Sequence, residues 1–204
     1  MSETVVRGAD GRALSRKGEA TRARLLEAAE RVFGELGYHE ASIVKITEAA
    51  HVGQGTFYNY FTSKKEIFDE LVRDLNRRVR HAMKEASSKG ATRLEQERLG
   101  FEAYFRFTAE HPALYRIIRQ AEFVSPEMLH YHYERLSQGY VEALREAVER
   151  GEIGKVDPEV TAWALMGMGE LIGLRWIVWL EEGMPREVLD EINRIIACVL
   201  ERPS

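Results

Sequence analysis

The run SIVKITEAAHVGQGTFYNYF, residues 42–61, decides how this chain reads. Ser42 is placed to cap a helix carrying Ile43, Ile46 and Ala50. A short break follows, and a second helix is expected over Gln54–Phe61. Two short helices so spaced make a helix-turn-helix, which sets its second helix in the major groove of DNA. Phe57 and Phe61 recur at helical spacing, so both point inward and pin that helix to the bundle. Gln54, Thr56, Tyr58, Asn59 and Tyr60 fall on or near the open side. Glutamine and asparagine amides suit adenine edges, whereas threonine and tyrosine hydroxyls suit phosphate oxygens. Gly55 leaves the helix start bare, so its backbone can approach a phosphate. Lys64 and Lys65 stand at the start of the next helix, where the dipole disfavours cations; a phosphate partner would explain them. The same residues equally suit the solvated face of a small bundle, and periodicity alone leaves both readings open.

Outward from this run the pattern stays helical. Upstream, Leu25, Ala29, Val32 and Leu36 recur with helical period from about Gly18, and Gly37 closes that helix. Downstream, Ser63 and Glu66 form a capping box that opens a helix through Ile67, Leu71, Leu75 and Val79. Further helices are expected over residues 93–110, 113–122, 127–150, 159–182 and 186–201, divided by His111-Pro112, Pro126, Gly151 and Asp157-Pro158. No useful stretch alternates like a strand, so the fold class is all-α. The expected organisation is a mobile basic arm (1–17), a three-helix DNA-binding domain (18–65), and a helical ligand-binding and dimerisation domain (66–204). Arg12, Arg16 and Lys17 of the arm suit a minor groove, or a disordered tail.

Charge follows the same division. The chain as a whole carries a net −4, which argues mildly against nucleic acid. Residues 1–65, however, hold ten Lys/Arg against eight Asp/Glu, a net of +2, and the remainder is −6. The basic excess thus lies in the part that carries the helix-turn-helix. The lone Cys198 excludes an internal disulfide framework or a multi-cysteine metal site, and reads as a buried structural thiol. No apolar leader follows a basic start, so a cytoplasmic setting is expected. Residues 160–180 are apolar, but Glu170 and Arg175 inside them argue for a helix buried in protein rather than lipid. No G-x-S-x-G, phosphate loop or H-E-x-x-H occurs, and His130 and His132 diverge on a helix. No enzyme, cofactor or metal is expected; the competing readings are a helical interaction module and, behind it, a small enzyme.

The run GQGTFYNYFTSKKEIF (53–68), together with Gly37-Tyr38 and Ile46-x-x-Ala49-x-x-Val52, resembles the signature of the tetracycline-repressor (TetR) family of bacterial transcriptional regulators. The resemblance covers about residues 18–70 and implies a homodimer, an effector pocket in the body, and release from a DNA operator when effector binds. Position by position it implies phosphate contacts from Thr56, Tyr58, Tyr60 and Lys64. It places Gln54 and Asn59 nearest to bases, with Lys45 as a further contact. Three positions depart from the pattern: His51 where the turn often has glycine, Gly53 where a hydroxyl residue often caps, and Thr47 where alanine is usual.

The body carries two expectations. Aromatic residues with few embedded polar groups match the recipe for a small-molecule site. Its expected residues are Phe101, Tyr104, Phe105, Ile118, Arg119, Glu122, Phe123, Tyr133, Trp163, Met166 and Glu170. Each of these also suits plain core. They suggest a largely apolar effector with one polar or anionic end, and the segment from His111 to Val124 resembles TetR regulators that respond to acyl-CoA thioesters or aromatic acids. The last two helices are expected to make a two-fold interface through Gly169, Gly173, Trp176, Leu189, Ile192, Ile196 and Val199. Two-fold symmetry predicts a palindromic operator.

Overall fold

The computed structural model describes residues 7–181 and 183–201. Among these the architecture is all-helical: α1 (Arg16–Glu40), α2 (Ile43–Ala49), α3 (Gln54–Tyr58), α4 (Lys64–Ser87), α5 (Arg93–Glu110), α6 (Ala113–Val124), α7 (Pro126–Glu149), α8 (Pro158–Gly173) and α9 (Arg186–Leu200). A π-helical segment, Leu174–Trp179, continues α8. Helix starts sit where side chains satisfy the free N–H groups. Ser15 accepts from Gly18 N–H at 3.2 Å, Thr92 from Glu95 at 3.2 Å, and Asp157 from Val160 at 2.9 Å ahead of Pro158. Ser15 thus starts α1 ahead of the expected Gly18. Gly37 breaks α1 with φ 77°, a left-handed conformation that glycine takes without strain.

The chain divides into two compact units. One holds residues up to Leu75 together with Arg116–Leu129; the other holds Asn76–Tyr115 and His130 onward. The division falls inside α4, beyond the expected boundary at residue 65, and the first unit recruits most of α6. In that unit Phe33, Phe57, Phe61 and Phe68 are fully buried, with Phe33 and Phe68 edge to face at 5.3 Å. Polar contacts fasten α6 there. Arg116 Nη1 donates to Gly34 O at 2.9 Å, and Gln120 Oε1 accepts the backbone N–H of Tyr38.

The second unit is built on an apolar cluster that includes Phe101, Phe105, Leu144, Leu165, Ile177, Ile192 and Ile196. Arg93, Glu97 and Tyr140 are a polar inclusion beside it: Arg93 Nε donates to Glu97 Oε1 at 2.8 Å and Tyr140 Oη to Glu97 Oε2 at 2.5 Å. Burying Glu97 is tolerable only with such partners. No helix is long and apolar enough to cross a membrane among the described residues.

Candidate nucleic-acid interface and effector core

The helix-turn-helix follows from local chemistry. Ser42 Oγ accepts the N–H of Lys45 at 3.2 Å, and Ile46 and Thr47 turn inward. Buried Thr47 satisfies its hydroxyl by donating to Val44 O at 2.9 Å, which explains why it can replace an apolar residue. His51 adopts φ 53°, so the turn does require the left-handed region, at a cost of about 1 kcal/mol or more for a non-glycine residue. Gly53 caps α3 with its carbonyl alone, accepting from Thr56 at 2.9 Å. Phe57 and Phe61 are buried with ring centroids 5.7 Å apart. Their opposite side carries exposed Gln54, Gly55, Tyr58 and Asn59, with Thr56 and Tyr60 half-buried at its margin. Tyr58 is 52% exposed, its ring edge to face with that of Phe57 at 5.5 Å and its hydroxyl end turned away from the core. A Cβ on Gly55 would meet nothing within 4 Å, so no packing within the chain asks for glycine there. α3 ends at Tyr58, short of the expected Phe61.

The lysines behind α3 have other work. Lys64 Nζ donates to the carbonyls of Tyr38 and Ala41, each at 2.8 Å, and of His39 at 3.4 Å, and lies 4.4 Å from the Tyr38 ring centre. The end of α1 beyond Gly37 leaves these carbonyls without helix partners, and the cation satisfies them. In this structure the Lys64 ammonium thus holds the end of α1 rather than standing free on the α3 face. Lys65 reaches Asp69 and Glu127 at 2.8 Å and Ser125 Oγ at 3.0 Å. The hydrogen bond to Asp69, then that to Glu127, raises its pKa. Lys45 remains exposed, with its ammonium on Glu40 O at 3.0 Å. The arm is also shorter than expected. Arg16 and Lys17 belong to α1, and residues 7–14 are folded into a turn; residues 1–6 lie outside the described part.

In the body unit the aromatic expectations partly converge. Tyr104 Oη donates to Tyr115 Oη at 3.1 Å, and Tyr133 Oη lies 3.0 and 2.9 Å from the two Glu170 oxygens. Trp163 stands 6.1 Å from the Tyr133 ring, Phe101 packs on Phe105, and Met166 is half-buried. Burial, then its neighbour Tyr115, lifts the Tyr104 pKa well above its ordinary value; burial likewise pushes Tyr115 up to about 12. Glu170 is thus partnered by a tyrosine hydroxyl. Arg175 is exposed, its guanidinium 5.1 Å from the Trp176 ring centre.

Other expected pocket residues fall elsewhere. Ile118, Arg119, Glu122 and Phe123 cluster with the first unit. Ile117, Ile118 and Ala121 make the buried stripe of α6, which turns Arg119, Glu122 and Phe123 to solvent, Phe123 to 82%.

The expected dimer residues fall on both sides of their helices. A Cβ on Gly169 would stand 3.2 Å from Phe101, and one on Gly173 only 1.8 Å from Tyr115 Oη. Both glycines admit rings of their own chain. Ile192 and Ile196 are buried in the body core, where Leu189 also packs. Trp176 is half-buried, and Val199 is exposed. Cys198 is exposed, not buried, because residues 192, 196 and 200 take the inward face. Sequence reasoning missed the outward stripe of α8, Val160, Trp163, Ala164, Gly167 and Leu171, which recurs at helical spacing.

Comparisons with known proteins agree with this geometry. Residues 25–71 match the family model described as "Bacterial regulatory proteins, tetR family". The HTH-type transcriptional regulator YdgC of Bacillus subtilis is 31% identical over 163 residues, 76% of this chain and 80% of that protein. The fatty acid metabolism regulator protein of the same organism is 27% identical over 161 residues, 70% of this chain and 82% of its own length. The crystal structure of the B. subtilis regulator FadR in complex with stearoyl-CoA superposes with a TM-score of 0.74 at 21% identity, covering 89% of this chain and 99% of that one. The helix-turn-helix with its outward Gln54–Tyr60 face, the all-helical body and these similarities give one conclusion: the chain belongs to the bacterial tetR regulatory family of transcriptional regulators.

Proposed function

We propose that this chain acts in the cytoplasm as a repressor that binds a palindromic operator as a homodimer and leaves it when a small, largely apolar effector binds. The observation that carries the reading is the face of α3, where Gln54, Tyr58 and Asn59 stand exposed beside open space at Gly55 while Phe57 and Phe61 anchor the helix. Thr56, Tyr58 and Tyr60 hold phosphates, and Gln54 and Asn59 meet base edges. Lys45 adds a cation at the edge of this surface.

The effector site is assigned to the body unit, around Phe101, Tyr104, Phe105, Tyr133, Trp163, Met166 and Glu170. An acyl-CoA thioester is the effector class best supported, by the similarity to the fatty acid metabolism regulator and to FadR in complex with stearoyl-CoA. Tyr115 opens the link to DNA. It belongs to the body unit, and the next residues of the same helix belong to the first. An effector that displaces its hydroxyl from Tyr104 moves α6, and Arg116 and Gln120 carry that shift to Gly34 and Tyr38 of α1.

The test pairs two measurements. The double variant Gln54→Ala/Tyr58→Ala is expected to lose operator affinity by at least tenfold while keeping its helicity and its dimer. Undiminished binding refutes the α3 surface, and a wild-type chain that enriches no sequence from a randomised duplex library supports the interaction-module reading instead. For the effector, saturated acyl-CoA thioesters of graded length are expected to raise the Tm and release DNA; no shift with any of them refutes that class.

A further inference from the structure

Residues 7–14 close into a turn. Gly8 N–H donates to Arg12 O and Gly11 N–H to Gly8 O, both at 2.9 Å, and Arg7 pairs with Ala13 across an antiparallel bridge. Gly11 takes φ +77° at the tip, and Asp10 Oδ1 accepts Arg12 N–H at 3.0 Å. The turn is fastened to the recognition helix: Ala9 N–H donates to the carbonyl of Asn59, the residue that caps the C-terminus of α3, at 3.0 Å. The approach is close. A Cβ on Gly8 would stand 2.9 Å from that carbonyl oxygen and 3.2 Å from Leu14 Cδ2. Chain ends are loose unless tied down, and this one is tied to the helix assigned to the major groove.

The segment is also cationic. Arg7 and Arg12 flank the tip, and Arg16 and Lys17 follow on the first turn of α1, all exposed; Asp10 and Glu19 are the acidic residues among them. Arg12 is 88% exposed even with its Nε 3.6 Å from Asp10. Arg16 and Lys17 oppose the dipole of α1, so folding gains nothing from their charge. A hairpin with arginines on both arms, docked on a recognition helix, has the shape and charge to grip the DNA beside it.

We propose that residues 7–17 form a wing that holds the phosphates bounding the minor groove next to the α3 site, with Arg7 and Arg12 as its main contacts and the Ala9–Asn59 hydrogen bond setting its register. The proposal rests on the DNA-reading function above. The test uses the full chain and a duplex that the wild type selects from a randomised library, titrated by fluorescence anisotropy across a salt series. The variant Arg7→Ala/Arg12→Ala is expected to bind about tenfold more weakly, with the slope of log K against log salt reduced by about 2 per protomer. Hydroxyl-radical protection is expected to retract from the flanking minor groove. Gly8→Val keeps every charge but removes the docking space, and is expected to lose the same protection and several-fold in affinity. Circular dichroism and gel filtration verify that both variants keep fold and assembly. A double variant equal to wild type in affinity and slope overturns the wing. A weak double variant beside an unaffected Gly8→Val also overturns it, because the arginines then act as an undocked tail. A wild type that selects no duplex overturns the DNA-reading function itself, and the wing with it.

Discussion

At the scale of residues, Lys64 and Gly55 separate fold from function. Lys64 bridges the carbonyls of Tyr38, His39 and Ala41 and is half-buried. Removing it strands partly buried acceptors, so Lys64→Ala is expected to destabilise the chain by about 1 kcal/mol. Urea unfolding measures this, and a variant as stable as wild type refutes the bridging assignment. Gly55 gives the opposite case, because a methyl group there meets no atom of the chain. Gly55→Ala is expected to keep stability or raise it by up to about 1 kcal/mol, since alanine holds a helix better than glycine. Operator affinity is expected to fall, because the added methyl intrudes where a phosphate backbone approaches. Unchanged affinity would show that nothing comes close to this position.

At the scale of elements, α9 has two apolar faces with different duties. Ile192, Ile196 and Leu200 fill the body core, while Ile195 and Val199 face outward beside Cys198. On α8 the outward stripe ends at Leu171, 67% exposed, and a Cβ on Gly167 would meet nothing within 4 Å. Apolar stripes of this kind on two helices suit a partner subunit. Val199→Glu is expected to give a folded monomer by analytical ultracentrifugation with little change in helicity. Ile196→Ala, which opens a cavity, is expected to cost about 2–5 kcal/mol and to leave the folded fraction dimeric. The reverse pattern would return the interface to the inward face.

At the scale of the whole molecule, the body unit carries a buried acid-sensitive point. Asn76 Nδ2 lies 3.2 Å from His132 Nδ1 and donates to His132 O at 3.0 Å, and Arg80 Nε donates to Asn76 Oδ1 at 2.9 Å. Burial, and then the Arg80 charge, push the His132 pKa from 6.5 down to about 4. Between those values the unfolded chain binds a proton that the folded chain refuses. Stability is therefore complete above about pH 6.5 and falls as pH drops towards 4, by up to about 1.4 kcal/mol per unit. Urea midpoints at pH 7 and pH 5 report the loss, and His132→Gln is expected to flatten it. An equal slope in the variant would assign the acid sensitivity elsewhere. Glu127, held down to about 2 mainly by Lys65, acts only at lower pH.

The amino-acid sequence by itself determined what depends on local period and local caps. The helix order, the glycine break at Gly37 and the burial of Phe57 and Phe61 opposite Gln54, Tyr58 and Asn59 were all legible, because each rests on residues within a few positions of one another. What only the tertiary structure decided depends on partners far along the chain. Lys64 meets carbonyls 23 and 26 residues away, Gln120 meets Tyr38 across 82 residues, and Gly173 admits Tyr115. A helix with apolar residues on two faces carries no local mark of which face the core will take. Packing chose Ile192 and Ile196 for the inside of α9, turned Cys198 and Val199 outward, and tied the N-terminal arginines to the recognition helix.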